Sequence, residues 1–159
     1  MTLLKAFKKL IKYRKAKLLL IGNGNDKDHL KKFIIEKKMK QLVRIIPFIK
    51  NPFKFIRMSD VKVLSSRFEG NPNILLEVAC LKKFIISSNC KVGPKEILQS
   101  GKGGYLFKVG NVDKLYRLLK NLNINSKLIK KKISNSYDYI EKNYQKDISI
   151  SFIKLIKNI

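Results

Sequence analysis

Histidine and tryptophan are nearly missing from this chain: there is one His and no Trp in 159 residues. Two cysteines, Cys80 and Cys90, are too few for a disulfide framework and do not make a zinc site. No apolar run reaches the roughly 20 residues that a membrane span needs. Lysine interrupts the opening stretch from Met1 to Phe7 too early for a secretory leader. The expected setting is therefore cytoplasmic. His29 lies in a lysine-rich stretch and is expected at the surface, so no metal site is expected. With 45% hydrophobic residues, the chain has the size and composition of one globular domain.

Acidic residues are also scarce, 11 against 36 Lys and Arg, for a formal charge of +25. Such a balance would ordinarily suggest nucleic acid or an anionic membrane. However, the basic residues are 31 Lys and only 5 Arg, and nucleic-acid readers lean on the arginine fork. The lysines are also spread along the chain, and the joint abundance of Lys, Ile and Asn is the mark of A/T-rich codons. No nucleic-acid partner is expected. Attraction to a membrane surface is the functional use left for the excess charge.

Hydrophobic periodicity alternates from end to end. An amphipathic helix is predicted over 2–15, with Leu3, Phe7, Leu10 and Ile11 at helical spacing. The stretch 17–21, apolar from Leu18 on, reads as a buried strand, closed by the turn Gly22-Asn23-Gly24. Asn25 or Asp26 caps a helix over 27–39. A strand over 43–46 leads to a loop from Pro47, and Pro52 opens a short helix through Met58. A strand at 61–64, a helix over 72–81 and a strand over 84–87 follow. Residues 93–98 form a short helix with Pro94 in its first turn. Gly103-Gly104 turns into a strand at 105–107, Asn111 caps a helix over 112–121, and 126–158 reads as two more helices. This alternation implies a Rossmann-like α/β fold, a parallel sheet flanked by helices, with ligands at the carboxyl ends of the strands.

One stretch departs from the general composition. Val63 to Leu81 contains no lysine, yet Glu69 and Glu77, two of five glutamates in the chain, lie in it eight positions apart. Between them runs Gly70-Asn71-Pro72. The helix that follows is apolar on nearly every side, with Glu77 its one charge, so that carboxylate needs a partner or a ligand. Asn73 and Glu77, at i and i+4, share a face near the helix start. Free N–H groups there favour an anion, and a carboxylate accepts strongly from sugar hydroxyls. The plainer alternative is a solvated Glu69 and a Glu77 paired with a lysine. Gly22-Asn23-Gly24 is not a dinucleotide fingerprint, because Lys27 stands where a third glycine would be needed.

The stretch Ser65-Ser66-Arg67-Phe68-Glu69-Gly70-Asn71-Pro72-Asn73-Ile74-Leu75-Leu76-Glu77 resembles the E-x7-E signature of family 4 glycosyltransferases of the GT-B fold. Leu19 to Gly24, Asn51-Pro52, Ser59-Asp60-Val61, Ile86 to Cys90, Gly93 to Leu98 and Gly103 to Phe107 recur there in the same order, so the likeness covers about residues 3–122. It implies the C-terminal, donor-binding half of a retaining hexosyltransferase that moves a sugar from a nucleotide diphosphate sugar, with UDP favoured. The acceptor would be a glycan or lipid-linked, as in cell-surface polysaccharide or glycolipid assembly, with peripheral contact at the inner membrane surface.

By the same resemblance Glu69 touches the donor sugar, as the catalytic position. Arg67, Gly70, Asn71, Asn73 and Ile74 hold sugar and phosphate, Glu77 takes the ribose hydroxyls, Phe48 and Ile49 flank the base, and Gly22 and Asn23 floor the pocket. Family members need no cofactor and no metal. The domain is expected over 1–122, lacking its first strand, with helices over 123–159 packed on it and the acceptor half supplied by a separate N-terminal domain. Pro47 replaces a usual glycine, Lys82 and Phe84 stand where Gly and Pro are common, and Lys91 replaces a proline. An inactive fragment or a partner-binding module is the alternative reading.

Overall fold

The computed structural model describes residues 1–70 and 72–144. In chain order the elements are α1 (Thr2–Leu10), β1 (Leu18–Ile21), α2 (Lys27–Glu36), β2 (Val43–Ile46), α3 (Phe53–Met58), β3 (Val61–Leu64), α4 (Asn73–Cys80), β4 (Phe84–Ser88), α5 (Pro94–Ile97), a 3-10 turn (Gln99–Gly101), β5 (Tyr105–Phe107), α6 (Val112–Lys120) and α7 (Lys127–Asn143). The α/β alternation is as expected, and the strands pair in parallel with helices flanking them. They form two sheets, one of two strands and one of three, within two compact units. The last helix expected in the tail falls outside the described residues.

The first unit comprises residues 1–51 and 111–122. β1 and β2 pair from Leu18↔Val43 to Ile21↔Ile46. α1 packs on α6, burying Leu4, Ala6, Phe7 and Leu10 on one helix and Leu115 and Leu119 on the other. α1 stops at Leu10 rather than continuing to 15. Beyond it, the Arg14 guanidinium donates to the carbonyls of Leu119 (3.2 Å) and Leu122 (2.9 Å), satisfying oxygens at the end of α6. β1 is less buried than its apolar run predicts, with Leu19 and Ile21 each 36% exposed. A two-stranded sheet leaves one edge of β1 unpaired.

α2 also ends early, and the reason is local. Lys38 takes φ +55°, its N–H reaches the carbonyl of Ile35 at 3.0 Å, and the Met39 N–H reaches that of Ile34 at 2.9 Å. These are the two bonds of a Schellman cap, with Met39 wholly buried as its apolar contact. The end of α4 repeats the pattern: Lys82 sits at φ +52°, and Lys82 and Lys83 donate to Ala79 (2.9 Å) and Val78 (3.1 Å). Lysine thus occupies two positions where glycine is the ordinary choice. Asn111 caps α6 as predicted, its Oδ1 accepting from Lys114 N at 2.8 Å.

The second unit comprises residues 52–110 and the segment from 123 onward. β4 lies between β3 and β5, and each of its residues is buried, as a central parallel strand requires. Phe53 and Ile56 of α3, Leu75, Leu76, Val78 and Ala79 of α4, Ile85, Ile97, Leu98 and Ile140 make one apolar cluster. The turn into β5 is glycine because neighbours crowd it. A Cβ on Gly104 would lie 2.7 Å from the Ile85 carbonyl oxygen, and one on Gly103 would lie 3.0 Å from Ser136 Cβ.

Candidate functional site

In the second unit the expected site residues gather on the loop from β3 to α4 and on the first turns of α4. That loop is held from the end of β4. Ser88 is fully buried, and its hydroxyl donates to the Ser66 carbonyl at 2.7 Å. Gly93, at φ +90°, lies so close to Pro72 that a Cβ on it would meet Pro72 Cδ at 2.4 Å. Pro72 is the residue at the N-cap of α4, and no side chain caps that helix. The Leu75 N–H is taken by the Pro72 carbonyl at 2.8 Å; no side chain caps the amides before it, and the helix dipole favours an anion there.

Asn73 is exposed, Ile74 half-buried and Glu77 half-buried one turn further on. Arg67 is exposed, and Phe68 beside it is 72% exposed. Glu69 is half-buried, and a Cβ on Gly70 would meet nothing within 4 Å, so open space adjoins that backbone. Asn71 lies outside the described residues. Arg67, Glu69, Gly70, Asn73, Ile74 and Glu77 thus lie on one loop and helix start.

Glu77 is the most telling of them. Its Oε2 is buried and has no hydrogen-bond partner. Burial pushes its carboxyl above the usual range, while the charge of Lys62 pulls it down. Lys62 sits in β3, where burial holds its ammonium below the usual lysine value against the opposing pull of Glu77. Further along α4, burial and the Glu77 charge push the Cys80 thiol up. The plainer alternative, a lysine partner for Glu77, is therefore half realised: the lysine is there, yet one carboxylate oxygen stays open.

In the first unit Gly22, Asn23 and Phe48 come together at the carboxyl ends of β1 and β2. The Gly22 N–H donates to the Ile46 carbonyl at 3.1 Å, extending the ladder by one step, at a φ of +144°. Asn23 Oδ1 accepts from the Phe48 N–H at 3.3 Å, tying the two loops. The Phe48 ring is 69% exposed and Ile49 is half-buried. His29 is exposed, both cysteines are free, and no group of potential metal ligands occurs among the described residues. Nor is any helix among them long and apolar enough to cross a membrane. An open cavity of about 440 Å³ along α7, lined by Gln99, Asn135, Asp138, Tyr139, Lys142 and Asn143, includes none of the expected residues.

Sequence reasoning passed over Lys62, Ser88 and the contact of Gly93 with Pro72 as parts of the site. The first had a signal, being the one charge in an otherwise apolar strand that opens directly onto the lysine-free stretch. The other two depend on how the loops after β3 and β4 meet, which no local pattern states.

Comparison with known proteins bears on this arrangement. The family described as "Glycosyl transferases group 1" matches residues 1–139. An uncharacterised glycosyltransferase of Methanocaldococcus jannaschii is 40% identical over 97 residues, which is 60% of this chain and 24% of that protein. The N-acetylgalactosamine-N,N'-diacetylbacillosaminyl-diphospho-undecaprenol 4-alpha-N-acetylgalactosaminyltransferase of Campylobacter jejuni is 29% identical over 114 residues, 72% of this chain and 31% of that one. A crystal structure of a Staphylococcus aureus TarM variant in complex with fondaparinux, alpha-GlcNAc-glycerol and UDP shares the fold, with a TM-score of 0.82 at 22% identity over 99% of this chain and 31% of that chain. The chain spans about a quarter to a third of the length of the curated relatives it matches.

Proposed function

Because the chain belongs to the group 1 glycosyl transferases, we propose that it is the donor-binding part of a retaining, metal-independent hexosyltransferase that uses a nucleotide diphosphate sugar, UDP-sugar first. The observation that carries this is Glu77, a lone carboxylate in an apolar helix whose buried Oε2 has no partner. An oxygen so placed costs stability unless something donates to it, and a pair of sugar hydroxyls is a fitting donor. The uncapped start of α4, four residues before Glu77, then faces the diphosphate. In the first unit, Phe48 and Ile49 are the residues proposed to contact the base, with Gly22 and Asn23 in the turn tied to Phe48.

Transfer breaks the bond between the anomeric carbon and the diphosphate oxygen and forms one to an acceptor hydroxyl oxygen. The hydroxyl proton goes to the departing diphosphate. Negative charge grows on that leaving group, where the N–H groups of Gly70, Asn73 and Ile74 stabilise it. Glu69 sits beside the sugar in this arrangement. The acceptor in this proposal is a glycan or lipid-linked chain of cell-surface polysaccharide or glycolipid assembly, met at a membrane surface that suits the excess of lysine.

UDP or a UDP-sugar at about millimolar concentration should raise the melting temperature of the chain, and Glu77→Ala should remove the rise. No shift with any nucleotide sugar, or an undiminished shift in Glu77→Ala, overturns the reading. A second reading, an inactive module that binds a partner chain, draws on Leu19 and Ile21, apolar strand residues each 36% exposed. It requires that nucleotides leave the melting temperature unchanged.

A further inference from the structure

Lys62 is the only charged residue in the three-stranded sheet of the second unit, and Glu77 is the only one in α4. Strand alternation puts Lys62 on the same face of β3 as Leu64, and Leu64 packs against the apolar cluster of α4, α5 and α7. Across the ladder Lys62 is in register with Ile85, which is fully buried in that cluster. The lysine stem therefore runs through the layer between sheet and helix, and its head group and the Glu77 carboxylate act on each other there. No hydrogen bond closes onto Glu77 Oε2. A lysine in this layer is costly, and an apolar residue would fill the strand with less strain. Its placement is explained if the charge is needed where it sits.

We propose that Lys62 is a positioning residue of the donor site: its ammonium, held in the sheet under α4, keeps the Glu77 carboxylate charged while leaving Oε2 open to accept the hydroxyls of a bound nucleoside diphosphate. This rests on the donor-site reading above. The partial separation is what lets both conditions hold. A closed ion pair would occupy the oxygens that the ligand needs, whereas no lysine at all would leave a half-buried carboxyl inclined to take up a proton, and a protonated carboxyl is a weaker acceptor. The titratable groups on α4 and on the elements packed against it do not replace Lys62. Cys80 on α4 is neutral, with its thiol pushed up. From α7, Tyr137 donates to Glu141 at 3.2 Å and is pushed up as well. Lys82 is spent over the Tyr137 ring, 4.2 Å from its centroid. Glu96 of α5 acts on Tyr144.

The test uses the full chain, with UDP as the probe, in the parent and in Lys62→Met, Lys62→Arg and Glu77→Gln. Two readouts are taken from pH 5.5 to 8.5: UDP affinity by calorimetry, and titration of the glutamate carboxyl carbons by NMR, with Glu77 assigned from its absence in Glu77→Gln. The expected result is a Glu77 titration moved to higher pH in Lys62→Met. UDP affinity in that variant should fall about tenfold at the acid end and recover as pH rises, since below its midpoint a carboxyl loses charged population about tenfold for each step of one in pH. Lys62→Arg should keep the parent profile. If Lys62→Met fails to fold, Lys62→Gln is read in its place. A Glu77 titration that the substitution leaves in place overturns the proposal. A titration that moves while UDP affinity is the same in parent and Glu77→Gln, or absent in both, overturns the donor-site reading and the positioning role with it.

Discussion

Pro72 and Gly93 are packed so tightly that a single methyl group on the glycine would lie 2.4 Å from the proline ring. The loop after β4 is thereby wedged under the N-cap of α4, the end of the helix that would meet a diphosphate. Gly93→Ala must move Pro72 and must also adopt an unfavourable φ of +90°. It should cost roughly 1–3 kcal/mol in urea unfolding and weaken UDP binding. Gly104→Ala, whose Cβ would meet the Ile85 carbonyl at 2.7 Å, should cost a similar amount and leave UDP affinity unchanged. Equal effects of the two on binding would show that Gly93 acts through stability alone.

The burial of Glu77 has its own pH signature. Because the folded carboxyl is raised above its ordinary value near 4.5, the folded state holds a proton that the unfolded state has already lost. Relative to Glu77→Gln, the parent should lose stability as pH rises from about 4.5 through the folded value, and then level off. Lys62 works in the opposite window: its folded value lies below the ordinary 10.5. Relative to Lys62→Met, the parent is handicapped while the ammonium is charged and recovers as pH climbs toward 10.5. Urea unfolding of the three proteins at a series of pH values checks both slopes. A flat difference between parent and Glu77→Gln across the acid range would contradict the burial of the carboxylate.

Most of the elements were legible because local signals were strong: closing glycines after β1, Pro94 inside α5, and the Asn111 cap, which the structure places on Lys114 N at 2.8 Å. The candidate loop and helix were legible through the contrast between a lysine-rich chain and a lysine-free stretch. What local pattern did not show is long-range. α1 ends at Leu10, and beyond it the Arg14 side chain reaches carbonyls more than a hundred residues away. The apolar run of β1 reads as doubly covered, but its sheet has only two strands. The setting of Lys62 shows only once β3 is seen to pack Leu64, on the same face, against the cluster that includes α4.

Lysine at the two Schellman positions makes a prediction about stability. Lys38 sits at φ +55° and its side chain is exposed. The left-handed backbone costs a side-chain-bearing residue about 1–2 kcal/mol, and glycine returns part of that through unfolded-state entropy. Lys38→Gly should therefore stabilise the chain by up to about 1 kcal/mol, read from the urea midpoint at unchanged slope. A loss of stability would mean that the exposed lysine makes a contact worth more than the strain.

Two asparagines separate folding from binding in the first unit. Asn111 caps α6 through a 2.8 Å bond, so Asn111→Ala should cost about 1 kcal/mol of stability and leave UDP affinity as it is. Asn23 instead accepts from the Phe48 amide at a longer 3.3 Å, between two exposed residues. Water can replace that bond, so Asn23→Ala should cost less than about 1 kcal/mol. Its effect should fall on binding, because it frees the loop that carries the exposed Phe48 ring. Calorimetry with UDP and urea unfolding on both variants read the two quantities separately. Weakened binding in Asn23→Ala with little loss of stability would tie the Gly22–Asn23 turn to the nucleotide, whereas unchanged binding would overturn the proposed part of that turn in nucleotide binding.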